Sequence, residues 1–232
     1  MVRVIVVTGA NRGIGLELSR QLAARGDRVI LGTRDLEAGR RAAEPLQAAG
    51  GDVHVRQLDV TDQASSDAVA AELADDPGRL DVLVNNAAIH YDTWQNAANA
   101  DIEIVSEAFE TNVLGAWRCA QTFLPLLRTS GHGRIVNVSS EAGSLASMGG
   151  GGTPAYKTSK VALNALTKML ADELRRDRIL VNSVCPGWVA TDMGGPGGRP
   201  VADGAASVLW AVDLPDGGPT GGFFRDGQAL PF

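Results

Sequence analysis

A short apolar strand that runs through a glycine-rich turn into a helix is the feature that most constrains this fold. Residues 3–7 are mostly β-branched, which is typical of a strand buried on both faces, and a helical pattern follows the turn TGANRGIG. Gly9 permits the tight turn, Gly13 lets backbone N–H groups approach a phosphate, and Gly15 allows close packing of helix on strand. Strand, glycine turn and helix in this order predict a dinucleotide site.

Strand and helix patterns alternate along the rest of the chain. Strand patterns occupy residues 28–32, 53–58, 80–84, 134–138, 180–184 and 222–224, and helical patterns occupy residues 14–24, 36–50, 63–74, 104–127, 156–176 and 201–212. Such alternation is typical of a parallel, doubly wound sheet. We therefore predict one catalytic domain over residues 1–232, an α/β fold of Rossmann type with a mostly parallel seven-stranded sheet and helices on both faces.

Charge and cysteine content narrow the function classes. The net charge of −6, with no basic run, argues against a nucleic-acid partner. The first residues, MVRVIVV, are too short a run for a signal core or a membrane span. Cys119 and Cys185 stand in apolar settings, which favours buried thiols over a disulfide. These features predict a cytoplasmic protein that binds neither nucleic acid nor membrane, and we expect no metal site.

The end of the second strand is where a domain of this type reads the adenosine ribose. Thr33 stands where an acidic residue would accept hydrogen bonds from a free 2′-hydroxyl, and Arg34 follows it. Arginine pairs with a 2′-phosphate, and Arg12 in the glycine turn supplies a second cation. We therefore predict NADP, with NADPH preferred over NADH. Asp35 is a counter-argument, but we favour its interpretation as the N-cap of the next helix.

Further strand ends offer candidates for the same site. Asp59 either caps the following helix or meets an adenine amino group, and the sequence supports both equally. Small residues in NNAA, at positions 85–88, would let the backbone approach the cofactor. After the sixth strand, Thr191 is placed to bind a cofactor amide. The polar loop of residues 90–101 follows a strand end, so it either forms a wall of the substrate pocket or is a surface connection.

Tyr156 and Lys160 in PAYKTSK are the strongest catalytic candidates. Residues four apart lie on one face of a helix. A nearby ammonium favours a phenolate and lowers a tyrosine pKa from about 10, which makes the phenol a usable proton donor. Asn112 stands inside a predicted helix, where it is either solvent-facing or functional. Ser139 and Ser140 end the fifth strand, and either one is a candidate to bind a reacting oxygen.

These motifs together resemble the short-chain dehydrogenase/reductase family over essentially the whole chain. TGANRGIG, NNAA, TNVLGA, GRIVNVSS, YKTSK and PGWVATDM occur in the family's order. VNVSS, CPGWVATDMGGP and GPTGGFFRDG look most like the carbonyl-reductase branch, although the family's usual NNAG is NNAA here. The chain lacks the insertion before the tyrosine that monomeric carbonyl reductases carry, so the resemblance implies a homodimer or homotetramer.

The resemblance implies a role for each matched residue. Tyr156 gives its proton to a carbonyl oxygen, and Ser140, preferred over Ser139, hydrogen-bonds that oxygen. Lys160 holds the nicotinamide ribose and lowers the Tyr156 pKa, while Asn112 holds a water that connects Lys160 to solvent. The residues expected at the cofactor are Gly9, Asn11, Arg12, Gly13, Ile14, Gly15, Arg34, Asp59, Val60, Asn86, Ala87, Ala88, Tyr156, Lys160, Pro186, Gly187, Val189 and Thr191.

The function expected from these residues is NADPH-dependent reduction of a small or medium lipophilic ketone, aldehyde or quinone. Apolar residues near the expected pocket mouth suggest a lipophilic substrate, namely Trp94, Met148, Trp188 and Met193. An alcohol dehydrogenase or a 3-oxoacyl-carrier reductase of the same family is the alternative. A dinucleotide-sensing protein without turnover is a third interpretation, which the presence of all four candidate catalytic residues disfavours.

Overall fold

The computed structural model describes residues 2–90 and 92–232, so Met1 and Tyr91, the latter within the predicted pocket loop, lie outside it. Eight strands alternate with seven helices in the described chain. The strands are β1 (Val4–Val7), β2 (Arg28–Thr33), β3 (Val53–Gln57), β4 (Val82–Asn85), β5 (Arg134–Val138), β6 (Leu180–Val184), β7 (Phe223–Arg225) and β8 (Gln228–Ala229). The helices are α1 (Gly13–Ala23), α2 (Leu36–Ala48), α3 (Gln63–Asp75), α4 (Ile102–Phe109), α5 (Gly115–Ser130), α6 (Pro154–Glu173) and α7 (Val201–Val212).

All eight strands form one sheet in the order β3-β2-β1-β4-β5-β6-β7-β8. Every neighbouring pair from β3 to β7 is parallel, and the order reverses beside β1, which confirms the doubly wound sheet. The predicted count of seven strands is one too low. Strand β8 pairs antiparallel with β7 across the tight turn at Asp226 and Gly227, and its two residues are too few to show an alternating pattern.

Two helical layers bury the two faces of the sheet. Alternate residues of β1 point to opposite sides, with Val4 and Val6 in one core and Ile5 and Val7 in the other. Helices α3, α5 and α6 cover the first face, where Phe123 is fully buried. Helices α1, α2 and α7 cover the second face. Because both faces are covered, only the strand ends are left to form a site.

The single helix expected over residues 104–127 is three segments. It begins earlier, as α4, widens into a π-helical turn at Glu110–Leu114, and continues as α5. A π turn inserts one residue without disturbing the apolar pattern on either side, so periodicity did not reveal it. Such turns often mark functional sites. Asn112 lies in this turn and is buried, so the solvent-facing alternative is wrong.

Aspartates cap the helices α2 and α3, and the first of these caps was predicted. The Asp35 carboxylate accepts a hydrogen bond from the Ala38 N–H at 3.0 Å and so caps α2, as preferred from the sequence. Asp62 caps α3 by accepting from the Ala64 N–H at 3.0 Å. Asp59 is therefore not the cap of α3 and remains a candidate for the cofactor site.

Within residues 2–90 and 92–232, no helix combines the length and the apolar character that crossing a membrane requires.

Candidate active site

A cavity of about 970 Å³ opens where the parallel strands end. Its wall is built by the residues that follow the carboxyl ends of β1 to β6, the edge at which open α/β sheets bind ligands. All predicted site residues line this wall except Gly15, Asn112, Trp94 and Met148. Residues from six separate strand ends therefore meet in one site.

The glycine turn after β1 forms a cradle at the floor of the cavity. Gly9 has φ +62° and Gly13 has φ +56°, a left-handed conformation that favours glycine. A Cβ on Gly9 would stand 2.9 Å from the Ala87 Cα, so the turn after β1 touches the strand end after β4. A Cβ on Gly15 would stand 2.5 Å from Asn86 Nδ2, so Gly15 serves packing and does not line the wall. This cradle at the N-terminus of α1 fits the phosphates of a dinucleotide.

Two arginines stand at the end of the cavity where the adenosine ribose was expected. Arg12 and Arg34 both line the wall. The Arg12 guanidinium pairs with Asp192 at 3.0 Å, and both side chains are exposed. Thr33 is buried and its hydroxyl donates to the Asp35 backbone carbonyl. The Asp35 carboxylate caps α2 and the residue also lines the cavity wall, so binding of a 2′-phosphate by Arg34 stays a prediction.

Asp59 stabilises its own turn at the same end of the cavity. One of its carboxylate oxygens accepts from the Thr61 N–H at 2.9 Å and from the Thr61 hydroxyl at 2.7 Å. The residue lines the cavity wall together with Val60. Recognition of an adenine amino group by Asp59 stays a prediction.

Tyr156 enters the cavity from the first turn of α6. A hydrogen bond with Ser140 lowers its pKa, but burial outweighs this effect and raises the pKa to about 12. The net shift is therefore opposite to the lowering expected from Lys160, because burial has the larger effect. The phenol is fully protonated at neutral pH, which is the state that a proton donor needs.

The two candidate serines differ in what they contact. Ser140 reaches Tyr156 and also accepts from the Ala142 N–H at 3.2 Å. Ser139 is buried, and its hydroxyl has no hydrogen-bond partner among the described residues. Geometry therefore supports Ser140 over Ser139.

Lys160 lies one helical turn beyond Tyr156, with only 2% of its surface exposed. Its Nζ donates to the Val138 carbonyl at 2.8 Å and lies 5.6 Å from the centre of the Tyr156 ring. Burial lowers the pKa of Lys160 to about 8. The ammonium therefore predominates at neutral pH but is lost under mildly alkaline conditions.

Asn112 ties the π turn to two neighbouring segments. Its Oδ1 accepts from the Ile89 N–H at 2.8 Å, and its Nδ2 donates to the Ile89 carbonyl at 3.0 Å and to the Ser159 hydroxyl at 3.0 Å. Both amide hydrogens are thus used within the protein. The side chain therefore joins the loop after β4 to α6, and the expected role of Asn112 in holding a water stays a prediction.

The sequence did not single out His90 as a site residue, yet it lines the cavity beside Tyr156. The imidazole stacks on the phenol ring, with centroids 4.3 Å apart and planes 27° apart. Asp92 is 1% exposed and accepts from the N–H groups of Ala155 at 2.7 Å and of Tyr156 at 3.4 Å. It caps α6 from 63 residues away along the chain, since Thr153 at the N-cap position provides no side-chain cap. In the sequence, His90 and Asp92 stand two positions apart, and this spacing was the signal that could have identified the pair.

The four predicted substrate residues divide into two pairs. Trp188 and Met193 line the cavity, whereas Trp94 and Met148 are not part of its wall. Trp188 is 67% exposed and donates from Nε1 to the Gly194 carbonyl at 2.7 Å, which holds the glycine-rich segment beside the opening. The loop of residues 90–101 contributes His90 and Thr93 to the wall and pairs with the glycine loop at Gly152. The pocket-wall alternative for this loop is therefore correct.

The known proteins that this chain is similar to are dehydrogenases and reductases. A family profile described as short chain dehydrogenase matches residues 3–199. The chain is 33% identical to carbonyl reductase [NADPH] 1 of Sus scrofa, with 98% of this chain and 93% of that protein covered. It is 33% identical to (+)-neomenthol dehydrogenase of Arabidopsis thaliana, with 99% and 98% covered. The crystal structure of NADPH-bound carbonyl reductase from chicken fatty liver superposes with a TM-score of 0.88 at 32% identity, covering 100% of this chain and 99% of that one.

The cradle makes a prediction about stability. Gly9→Ala is expected to lower the free energy of unfolding by about 3 kcal/mol, of which roughly 1–2 kcal/mol is left-handed strain and the rest displacement of Ala87. Gly26 is a matched control, because it has φ +83° and a Cβ there would meet nothing within 4 Å. In urea unfolding, Gly26→Ala should lower the free energy of unfolding only by the left-handed strain. Equal losses of free energy in the two variants would contradict the close approach of Gly9 to Ala87.

Proposed function

This chain belongs to the short-chain dehydrogenase family, and on that premise we propose that it reduces lipophilic carbonyl compounds with NADPH. The substrate is a small or medium ketone, aldehyde or quinone, and Tyr156 is the proton donor. The observation that carries this proposal is that Tyr156, Ser140 and Lys160 line one cavity together with the glycine cradle.

The cofactor fits the residues that line the cavity. Backbone N–H groups of the glycine turn bind the pyrophosphate, and Arg34 with Arg12 binds the 2′-phosphate. Lys160 holds the nicotinamide ribose, and Thr191 binds the carboxamide. When bound, NADPH supplies the hydride that reduces the carbonyl carbon.

The protein's own residues manage the proton and the charge on oxygen. Tyr156 donates its proton to the carbonyl oxygen, and Ser140 donates a hydrogen bond to the same oxygen as negative charge develops there. The high pKa of Tyr156 keeps the phenol protonated until transfer. The Lys160 ammonium stabilises the phenolate left behind, since an adjacent cation favours the charged form.

Apolar side chains in the cavity wall support the proposed substrate class. Trp188 and Met193 border it with exposed apolar surface, which favours a lipophilic molecule. The similarity to an NADPH carbonyl reductase and to a neomenthol dehydrogenase supports the same class.

Removing the proton donor tests the mechanism. Tyr156→Phe is expected to lower kcat by at least about 10²-fold, because general acid catalysis contributes 10²–10⁴-fold, while the dissociation constant of NADPH stays within about threefold. The kcat is measured from NADPH consumption with a panel of ketones, aldehydes and quinones. The dissociation constant of NADPH is measured by fluorescence titration. Most of the activity surviving in Tyr156→Phe would refute the assignment.

The serine pair provides the matched control. Ser140→Ala should lower kcat by about 10²-fold or more. Ser139→Ala removes the neighbouring hydroxyl, which has no hydrogen-bond partner among the described residues, and should change kcat little. A larger loss of kcat in Ser139→Ala than in Ser140→Ala would assign the binding of the carbonyl oxygen to Ser139.

Cofactor preference tests the arginine argument. Arg34→Asp should shift the ratio of kcat/KM for NADPH over NADH by at least about 10-fold toward NADH, because a carboxylate repels the 2′-phosphate and binds a free 2′-hydroxyl. Arg41→Asp makes the same charge change on the exposed surface of α2, outside the cavity wall, and should leave the ratio unchanged. An unchanged ratio in Arg34→Asp would remove Arg34 as the phosphate-binding residue.

The lowered pKa of Lys160 predicts a pH dependence. The ammonium is present below pH 8 and lost above it, so kcat for reduction should fall as the pH rises through about 8. Lys160→Arg keeps a cation to far higher pH, since arginine titrates above about 12. A kcat–pH profile should therefore show the alkaline decline moved upward in Lys160→Arg, and a decline that stays in place would assign it to another group.

A further inference from the structure

His90 and Asp92 form a pair that contacts Tyr156 from two directions. The His90 imidazole stacks on the phenol ring at 4.3 Å between centroids. The Asp92 Oδ2 atom accepts from the N–H groups that begin α6, including that of Tyr156 itself. One residue therefore contacts the ring, and the other holds the backbone that carries it.

Two buried polar atoms of this pair face each other without a bond. His90 Nε2 and Asp92 Oδ1 lie 4.0 Å apart, and neither has a hydrogen-bond partner among the described residues. Unpaired buried polar atoms are costly, so such a pair needs an explanation. A small movement of the imidazole toward Asp92 would join the two atoms by a charge-assisted hydrogen bond.

The groups that act electrostatically on His90 come from its own loop and from α6. Asp92 favours the protonated imidazole, whereas Lys160 opposes it, and Tyr156 is neutral in the working pH range. Burial has the largest effect, and the pKa of His90 lies below its ordinary value of 6.5. The imidazole is therefore neutral at pH 7 and becomes charged only on the acid side.

We propose that His90 is a positioning residue for Tyr156, and that in its protonated state it binds Asp92 and places a positive charge against the phenol. This inference rests on the proposed role of Tyr156 as proton donor. In the neutral state the imidazole holds the phenol ring in place by stacking. In the protonated state Nε2–H binds Asp92 Oδ1, and the added cation stabilises the charge that develops on Tyr156 as its proton leaves.

Three variants separate stacking from charge. His90→Phe keeps an aromatic ring beside Tyr156 but carries no proton, and His90→Ala removes both. Asp92→Asn keeps an oxygen that can accept from the Ala155 N–H, so the cap of α6 is retained while the negative charge is lost. Exposed His54 and His132 are matched controls, since each pairs with a surface carboxylate away from the cavity wall.

The kcat–pH profile between pH 5 and 8 is the first readout. In the wild type, kcat for carbonyl reduction should rise about two- to fivefold as the pH falls through the His90 titration. His90→Phe should retain kcat at pH 8 within about threefold but lose the acid-side rise, whereas His90→Ala should lose about 10-fold at every pH. A wild-type profile in His90→Phe would overturn the proposal.

The NMR titration of the histidine Cε1–H signals is the second readout and requires no turnover. Asp92→Asn should lower the His90 pKa, because the favourable carboxylate is gone, and should leave the signals of His54 and His132 unchanged. Lys160→Met should raise the His90 pKa by removing a like charge. A His90 titration that moves in neither variant would also overturn the proposal.

These readouts distinguish the inference from the proposed function. If the wild type reduced no carbonyl compound with NADPH, the proposed function would fail, and the NMR titrations would still decide whether His90 and Asp92 are coupled. If reduction and its dependence on Tyr156 were confirmed but the His90 variants matched the wild type, only the inference would fail.

Discussion

Parallel pairing of the strands is the constraint on which the rest of this structure depends. Because β1 to β7 all run in one direction, their carboxyl ends meet at one edge, although the chain between them runs through helices on both faces. The cradle after β1, the arginine after β2 and the serine after β5 are far apart in the chain but border one cavity. The order reverses beside β1, which opens the crevice at that point.

Burial determines the chemistry of that crevice more than direct charge pairing does. It raises the pKa of Tyr156 and lowers that of Lys160, so both groups shift toward their neutral forms. A phenol that holds its proton and an ammonium close to its titration point are compatible with the proposed reaction, in which Tyr156 gives up a proton and Lys160 stabilises the phenolate. The hydrogen bond with Ser140 works in the opposite direction to burial and is the local means of making the phenol more acidic.

The helix that carries Tyr156 is held by contacts from distant parts of the chain. Asp92 caps its first turn, Asn112 reaches Ser159 from the π turn, and Lys160 binds the end of β5. These contacts orient one helical face toward the cavity, where a displacement of about 1 Å can cost about 10²-fold in rate. The loop after β4 supplies the cap of α6 and also the imidazole that stacks on Tyr156, so this part of the cavity wall is joined directly to α6.

The sequence by itself determined the features that depend on neighbouring residues. Apolar runs located β5 and β6 within the residues observed, the glycine spacing predicted the cradle, and Asp35 was identified as a cap from its place before α2. Tertiary structure alone decided what depends on distant residues. The two-residue strand β8 exists only because β7 is beside it, and the π turn at Asn112 leaves the apolar pattern intact. The raised pKa of Tyr156 and the stacking of His90 arise from burial and from contacts across the fold, which local propensity and periodicity do not encode.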